Sequence, residues 1–245
     1  MISFLWQYVN TDTLTLQEKK LINCDDLSLI DQANKTFVIL KSSSDKVLGE
    51  ISLDKANGFV ISNAKEEILN MCPMRNAKYI SGNCTWLTDN YGRVRTAIIY
   101  SDNTTHKSGR DGNFIKKVNG FKEIKDADGN DVKNHSIANK FASKDDAGHL
   151  LPDACGGPSC AINIVPQLRK VNRGEGSIWR KSENDMRLNA QAGRKVKREI
   201  ETKYEGKALR PSCFYLTQTV DGKPAVCYNK KLEKTLYIKY RLRLT

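Results

Sequence analysis

The stretch DDAGHLL, residues 145–151, holds one of only three histidines in a chain of 245 residues. Asp145 and Asp146 precede His149, and Gly148 sits directly beside it. A neutral imidazole has an unperturbed pKa of about 6.5, so it can take a proton from water near physiological pH. Downstream lie Asn172 in NRG and Glu183 in WRKSEND, which supply an amide oxygen and a carboxylate. Mg²⁺ takes oxygen ligands and keeps most of its waters. One amide oxygen, with a carboxylate holding metal-bound waters, is therefore a sufficient protein contribution. A base for water together with such a cation is the equipment for hydrolysing a phosphodiester, whose transition state gathers negative charge and whose departing oxygen needs help.

Each residue also has a plainer reading. A lone histidine is more often structural, Asn172 suits a turn before Arg-Gly, and Glu183 could pair with Arg187 at i,i+4 on a solvated helix face. His106 and His135 sit in polar stretches with no partners in view, and there the plain reading wins. A thiol-protease pairing of Cys155 with His149 is excluded, because six residues of one segment do not bring together a nucleophile and a base of the usual kind.

For the three groups to meet, His149 must end one strand, the polar turn PDACGG must lead into a second short strand at INIVPQ, and a helix must carry Glu183. The run SIWRKSENDMRLNAQAGRKVKREIETKY, residues 177–204, reads as the clearest helical stretch. Ser177 is its cap, Ile178, Met186 and Leu188 form its apolar side, and an interruption is expected near Gly193. TWLTDNYGRVRTAIIY reads as a hairpin around DNYG, and CFYLTQTVDGKPAVCYN as a second one turning at VDGK. KTLYIKYRLRLT alternates as a terminal strand. Residues 101–145 are rich in Gly, Asn, Asp and Lys and predict an irregular course. Within them DADGND is no calcium loop, since Asp131 stands where glycine is required and Ile137 where glutamate is required.

The beginning of the chain has a different texture. KTFVILKSS, VLGEISL and NGFVIS read as short strands, and NAKEEILNMC as a short helix with an asparagine cap and an acidic first turn, stopped by Pro73. Nothing there carries chemistry, so the expected division is an accessory module at 1–84 and a functional domain at 85–245, a length that allows two ordinary domains. Charge follows the same division. Residues 1–85 hold 9 Lys+Arg against 10 Asp+Glu, while residues 86–245 hold 31 against 18. A surplus confined to one part of a chain points to a polyanionic partner, most often nucleic acid, over a merely solvated basic surface.

Seven cysteines with no CxxC pair leave a zinc site without its usual spacing. Cys155 and Cys160 in CGGPSC could close a small disulfide in an oxidising compartment, although buried thiols are the commoner outcome. No run approaches the ~18 apolar residues that span a bilayer. The opening MISFLWQYVNTDTL lacks a basic n-region and a small-residue cleavage site, so no signal peptide is expected.

The ordered series DDAGHLL, GG, INIVPQ, NRG and WRKSEND resembles the DNA/RNA non-specific endonucleases of the ββα-metal, or His-Me finger, superfamily. Their signature is a D-[RG]-G-H box, then N-[ILV]-[TV]-P-Q, then N-x-G, then W-x-x-x-E. YEGKALRPSCFYLTQTVDGK is similar to that family's closing hairpin, and the resemblance covers roughly residues 85–230. The chain looks most like the versions found at the ends of bacterial polymorphic toxins.

The resemblance implies an α+β fold, with a ββα-metal nuclease core and antiparallel sheet preceded by a small α+β module. It implies His149 as general base and Asn172 as the amide that ligates Mg²⁺, with Mn²⁺ able to substitute. Glu183 would be the acidic residue that holds the hydrated metal, Asp146 and Gly148 the turn that positions the histidine, and Asn163 the polar residue of the second strand. Ala147 stands where many members have arginine, so a cation for the transition state must come from elsewhere. Arg93, Arg95, Arg173 and Arg180 are the candidates for contacting nucleic acid. The spacing from Asn172 to Trp179 is about three residues longer than usual in the family.

The implied activity is metal-dependent, largely sequence-non-specific endonuclease cleavage of DNA, with RNA as a second candidate substrate. The implied setting is a bacterial toxin effector, exported by a dedicated secretion system and active in the target-cell cytoplasm, with a cognate immunity protein as a candidate partner. The competing class is a catalytically impaired nucleic-acid-binding or toxin-delivery module, against which the complete His–Asn–Glu set argues. The charge distribution yields a first prediction. DNA affinity should fall by orders of magnitude between low and physiological salt, as several neutralised phosphates require. Anisotropy titrations at a series of salt concentrations measure it, and a flat response would count against a phosphate-tracking surface.

Overall fold

The computed structural model describes residues 38–41, 44, 46–54, 58–70, 73–101, 145–173, 176–224 and 240–243. The DADGND stretch, His106, His135 and the N-terminal apolar patch lie outside them. By contacts the chain separates into two compact units, 1–94 and 95–245.

The first unit contains β1 (Val38–Lys41), β2 (Val47–Asp54), β3 (Gly58–Ser62), α1 (Glu66–Leu69), β4 (Ala77–Ser81) and β5 (Cys84–Thr88), with strands paired in that order. All neighbours are antiparallel except β3 and β4, which run parallel. A parallel pair needs a crossover rather than a tight turn, and the segment carrying α1 supplies it. Burial alternates along β3 and β5, which places Phe59, Ile61 and Trp86 in the core. The helix has the expected acidic first turn, but Asn63 is not its cap. Asn63 instead bends the chain at φ 51°. The cap position falls on Lys65, whose side chain makes no capping bond. Backbone bonds explain the shift. Ala64 N–H donates to the Ile80 carbonyl at 3.0 Å and Lys65 N–H to the Leu48 carbonyl at 2.8 Å, so the sheet sets the start of the helix.

The DNYG turn forms as expected. Asp89 accepts the backbone N–H groups of Tyr91 and Arg93, both at 2.9 Å, and pairs with the Arg93 guanidinium. Gly92 is required there: its φ is +79°, and a Cβ would lie 2.6 Å from the Pro73 carbonyl oxygen.

The second unit begins within β6 (Val94–Ser101), then has β7 (Asp145–His149), β8 (Ile164–Leu168), α2 (Arg169–Asn172), α3 (Ile178–Gln191), β9 (Val196–Tyr204), β10 (Pro211–Val220), β11 (Lys223–Pro224) and β12 (Tyr240–Arg243). β6, β9 and β10 form an antiparallel sheet, and β10 also pairs with β11 and β12. β7 and β8 make a separate two-stranded ribbon. The architecture is α+β: strand, strand and helix are assembled beside a largely antiparallel sheet.

The helix α3 occupies only the first half of its expected run. Ser177 caps it as expected, accepting the Arg180 backbone N–H at 3.1 Å, and its own hydroxyl donates to the Val171 carbonyl. At the other end Gly193 adopts φ +74°. Gly193 N–H donates to the Ala190 carbonyl and Arg194 N–H to the Asn189 carbonyl, the closure that satisfies the last carbonyls of a helix. Beyond it residues 196–204 are a strand rather than more helix. The reason is visible in the burial, which alternates through Val196, Arg198, Ile200 and Thr202, a period of two that no helix face can use.

On α3 the buried residues are Trp179, Ser182, Met186 and Ala190, spaced for one helical face, so of the expected apolar side only Met186 is buried, while Ile178 and Leu188 are exposed. Trp179 meets Phe214 of β10 edge-on at 5.2 Å between ring centroids. The ribbon is held by charge as well as by packing. Arg210, in the loop before β10, donates to both carboxylate oxygens of Asp145 at 2.6 and 2.8 Å, with both side chains almost wholly buried. Arg210→Ala should therefore lower unfolding stability by about 3–5 kcal/mol, since it strands a buried carboxylate. Urea denaturation measures this, and a change under about 1 kcal/mol would show the pair to be dispensable.

Candidate active site

The DDAGH box is the whole of β7, and Asp145, Asp146 and His149 each have distinct neighbours. Asp145 is the anchor to Arg210. Asp146 accepts from Arg173 Nε at 2.7 Å, Arg173 Nη2 at 3.0 Å, Arg169 Nε at 3.1 Å and Asn172 Nδ2 at 3.4 Å. Burial works to raise its pKa, but these hydrogen bonds outweigh it and hold the carboxyl below its ordinary range. Gly148 has to be glycine, because a Cβ would fall 2.0 Å from Gln167 Oε1, and Gln167 is fully buried on the neighbouring strand.

His149 ends the strand at 7 % exposure, with Nε2 3.1 Å from Ser159 Oγ. The loop that presents Ser159 is built around Asn163. Its carboxamide accepts Leu151 N–H and donates to the carbonyls of Leu151 and Pro158, each at 2.9 Å. A fully buried amide with three bonds is a rigid strut. Asn163 thus braces the loop beside the histidine, from the turn that opens β8.

Asn172 closes the short helix α2. Its Nδ2 faces Asp146, so its carbonyl oxygen is the end turned away, an amide orientation that follows from the hydrogen bond. Glu183 lies in the second turn of α3, four residues after Trp179. Close by is Arg198, fully buried on β9, with its guanidinium 5.0 Å from the Trp179 ring and Nη1 donating to Ser182 Oγ at 3.0 Å. Burial pulls the Arg198 pKa down to about 10, while the negative charge of Glu183 pushes it back up.

The expected residues therefore fall into groups. Asp146, Asn172 and Arg173 are joined directly, Gly148 and Asn163 support the histidine strand and loop, and Glu183 stands beside Arg198. Arg180 and Arg95 are exposed on α3 and β6. Arg93 belongs to the first unit, where its guanidinium lies on Asp89 and 4.7 Å from the Tyr91 ring centroid. Reading the sequence missed Arg169, Ser159, Arg198 and Arg210. Arg198 had a signal, since it shares the parity of Val196 and Ile200, whereas the partners of Ser159 and Arg210 are set by tertiary structure.

Among the described residues no group of three or more His, Cys, Asp or Glu side chains could cage a metal. The Asn172 amide oxygen and the Glu183 carboxylate, the donors expected from the sequence, are hard oxygens. They fit a cation that retains most of its water rather than a four-coordinate zinc site.

Residues 75–222, more than half of the chain, match the sequence profile described as DNA/RNA non-specific endonuclease. The chain is similar to the type VII secretion system protein EssD of Staphylococcus aureus, 28 % identical over 139 residues. The match takes in 55 % of this chain but only 19 % of EssD, so the chain spans about a fifth of the curated relatives it matches. Among solved structures it is similar to NucA from Streptococcus agalactiae with a magnesium ion bound, at 18 % identity and TM-score 0.46, covering 87 % of this chain and 84 % of that one. It is also similar to Sda1 nuclease with a bound zinc ion, at 16 % identity and TM-score 0.38, covering 57 % and 72 %.

Cys155 and Cys160 are buried thiols, not a disulfide. Burial pushes the Cys155 thiol up to about 11, far from a nucleophile's range. Its alkylation by iodoacetamide at pH 8 should be more than about 100-fold slower than that of an exposed thiol, because so little thiolate is present. Mass spectrometry of the labelled peptide, with and without urea, checks this, and rapid labelling of the folded protein would contradict it.

Proposed function

The chain belongs to the DNA/RNA non-specific endonuclease family, and we propose that it hydrolyses phosphodiester bonds with His149 as general base and with Asn172 and Glu183 holding a hydrated divalent cation, Mg²⁺ first and Mn²⁺ as a substitute. The observation that carries this reading is the hydrogen bond from Asn172 to Asp146, which ties the amide to the strand that ends in His149. The cation, when bound, would supply positive charge against the phosphate and the departing oxygen. The chain's own residues do the rest. His149 takes the proton of the attacking water. Asp146 keeps the Asn172 amide oriented and gathers Arg169 and Arg173, whose side chains are 62 % and 61 % exposed and so can also reach phosphate. Arg95 and Arg180 add further exposed positive charge. Contacts to phosphate carry no sequence information, which supports cleavage with little sequence preference.

The substrate in this reading is DNA first and RNA second. The likeness to part of a secretion-system protein supports, in the same spirit, an exported toxin effector acting in the cytoplasm of a target cell, with an immunity protein as its counterpart. Among the described residues no helix is long and apolar enough to cross a membrane.

The roles separate by substitution. His149→Ala should keep metal and DNA binding while turnover falls by roughly 10²–10⁴-fold, the usual worth of a positioned base. Asn172→Ala should lose activity that excess Mg²⁺ partly restores, and Glu183→Ala should do the same more mildly. Single-turnover cleavage across a Mg²⁺ titration measures all three. Rescue of His149→Ala by metal, or indifference of Asn172→Ala to it, would overturn the assignment.

A further inference from the structure

We propose that Arg169 is the residue that grips the substrate backbone: its guanidinium binds a phosphate flanking the one under attack, while Arg173 serves as the structural counter-charge of Asp146. The inference deepens the phosphodiesterase reading and rests on it. It also gives a role to a residue that lies in none of the expected boxes.

The hydrogen bonds of Asp146 carry the argument. A carboxylate offers about four lone-pair sites, and here all of them are taken. Oδ1 accepts Arg169 Nε at 3.1 Å and Arg173 Nη2 at 3.0 Å, while Oδ2 accepts Arg173 Nε at 2.7 Å and Asn172 Nδ2 at 3.4 Å. Arg173 is therefore committed to Asp146 along one whole edge of its guanidinium. Arg169 gives Nε alone, and among the described residues its two Nη groups bond to nothing. Its side chain is 62 % exposed where that of Asp146 is 11 % exposed, so the Nη edge stands in solvent on a base that is itself covered. The tether fixes the direction of the guanidinium without using the part of it that binds oxyanions.

Charge points the same way. Two guanidiniums face one carboxylate, so one positive charge is left over. The two arginines stand four residues apart at the ends of α2, a spacing at which like charges repel. An anion completes the arrangement, and the Nη edge of Arg169 is a fork that can take two phosphate oxygens at once. Asp146 also decides which phosphate that is. Asn172 turns its Nδ2 to Asp146, so its metal-binding oxygen points the other way. Arg169 and the cation thus lie at opposite ends of one amide, and the guanidinium reaches a phosphate beside the reacting one. A solvated ion pair with no ligand would show the same distances and contribute little. DNA affinity tells the two apart.

The test is the affinity of the full chain for a short DNA duplex in the presence of chelator, read by anisotropy at a series of salt concentrations. Arg169→Ala should weaken binding roughly 10-fold at low salt. It should also lower the slope of log Kd against log salt by about 0.9, one phosphate's worth, and do so equally for duplexes of different sequence. Arg169→Lys keeps the charge but not the fork, so it should keep the slope and lose only part of the affinity. Lys46→Ala is the control, since it removes a charge of similar exposure from the first unit and should leave the slope as it is. With Mg²⁺ added, the Arg169→Ala defect should lie in KM. An unchanged slope in Arg169→Ala would overturn the proposal, leaving a surface ion pair and nothing more. So would an equal fall in Lys46→Ala, which would reduce the effect to net charge. A defect confined to kcat would overturn it too, by placing the guanidinium on the reacting phosphate. If the wild-type chain gave the expected slopes yet cleaved no DNA with Mg²⁺, the phosphodiesterase reading would fail by itself, and the binding data would still report on Arg169.

Discussion

A two-stranded ribbon does not hold itself together in water. The β7–β8 ribbon carries the histidine, and it is separate from the sheet formed by β6, β9 and β10. It must therefore be fastened, and the buried bidentate pair of Asp145 with Arg210 does so at the first residue of the strand. Such a pair contributes little net stability compared with apolar contacts of the same size, since both ions lose their water. What it does provide is geometry. Two parallel hydrogen bonds fix the start of β7 against the loop before β10 in one orientation, which packing of aliphatic side chains would leave less defined.

From that fixed end the alternation of a strand distributes the remaining tasks. Asp146, one residue on and facing the other way, collects the polar side chains of α2. Gly148 leaves room for Gln167, and His149 meets the bracketed loop. A shift of register by one residue would exchange these faces and dismantle every contact at once. The glycine also keeps the two strands close, because any side chain there would have to displace a buried glutamine.

A second buried charge, Arg198, stands behind the helix that presents Glu183. Its guanidinium rests on Trp179 and reaches Ser182, while Glu183 acts on it through its negative charge. The W-x-x-x-E box thus has a packing residue and a charged residue on one helix, with Arg198 of the sheet packed against the tryptophan. This gives the spacing of that box a physical sense, since residues three and four apart lie on neighbouring turns of one face.

The sequence by itself determined which boxes occur and in what order, and with them the α+β class and the nuclease family. Those features are local: a histidine at a strand end, a serine cap, a glycine stop and turn-forming DNYG and VDGK each act within a few residues of themselves. The extent of the helix was less legible, because Lys, Arg and Glu suit an exposed helix face and an exposed strand face alike. Only the buried parity of Val196, Arg198 and Ile200 separates the two. The tertiary structure alone decided the pairings. Asp145 finds Arg210 65 residues away, Arg198 is buried because α3 covers it, and Ser159 faces His149 because an asparagine on the far side of the loop pulls the chain into a bracket. Contacts of that kind depend on loop closure and burial, quantities that no stretch of residues expresses until the chain has folded around it.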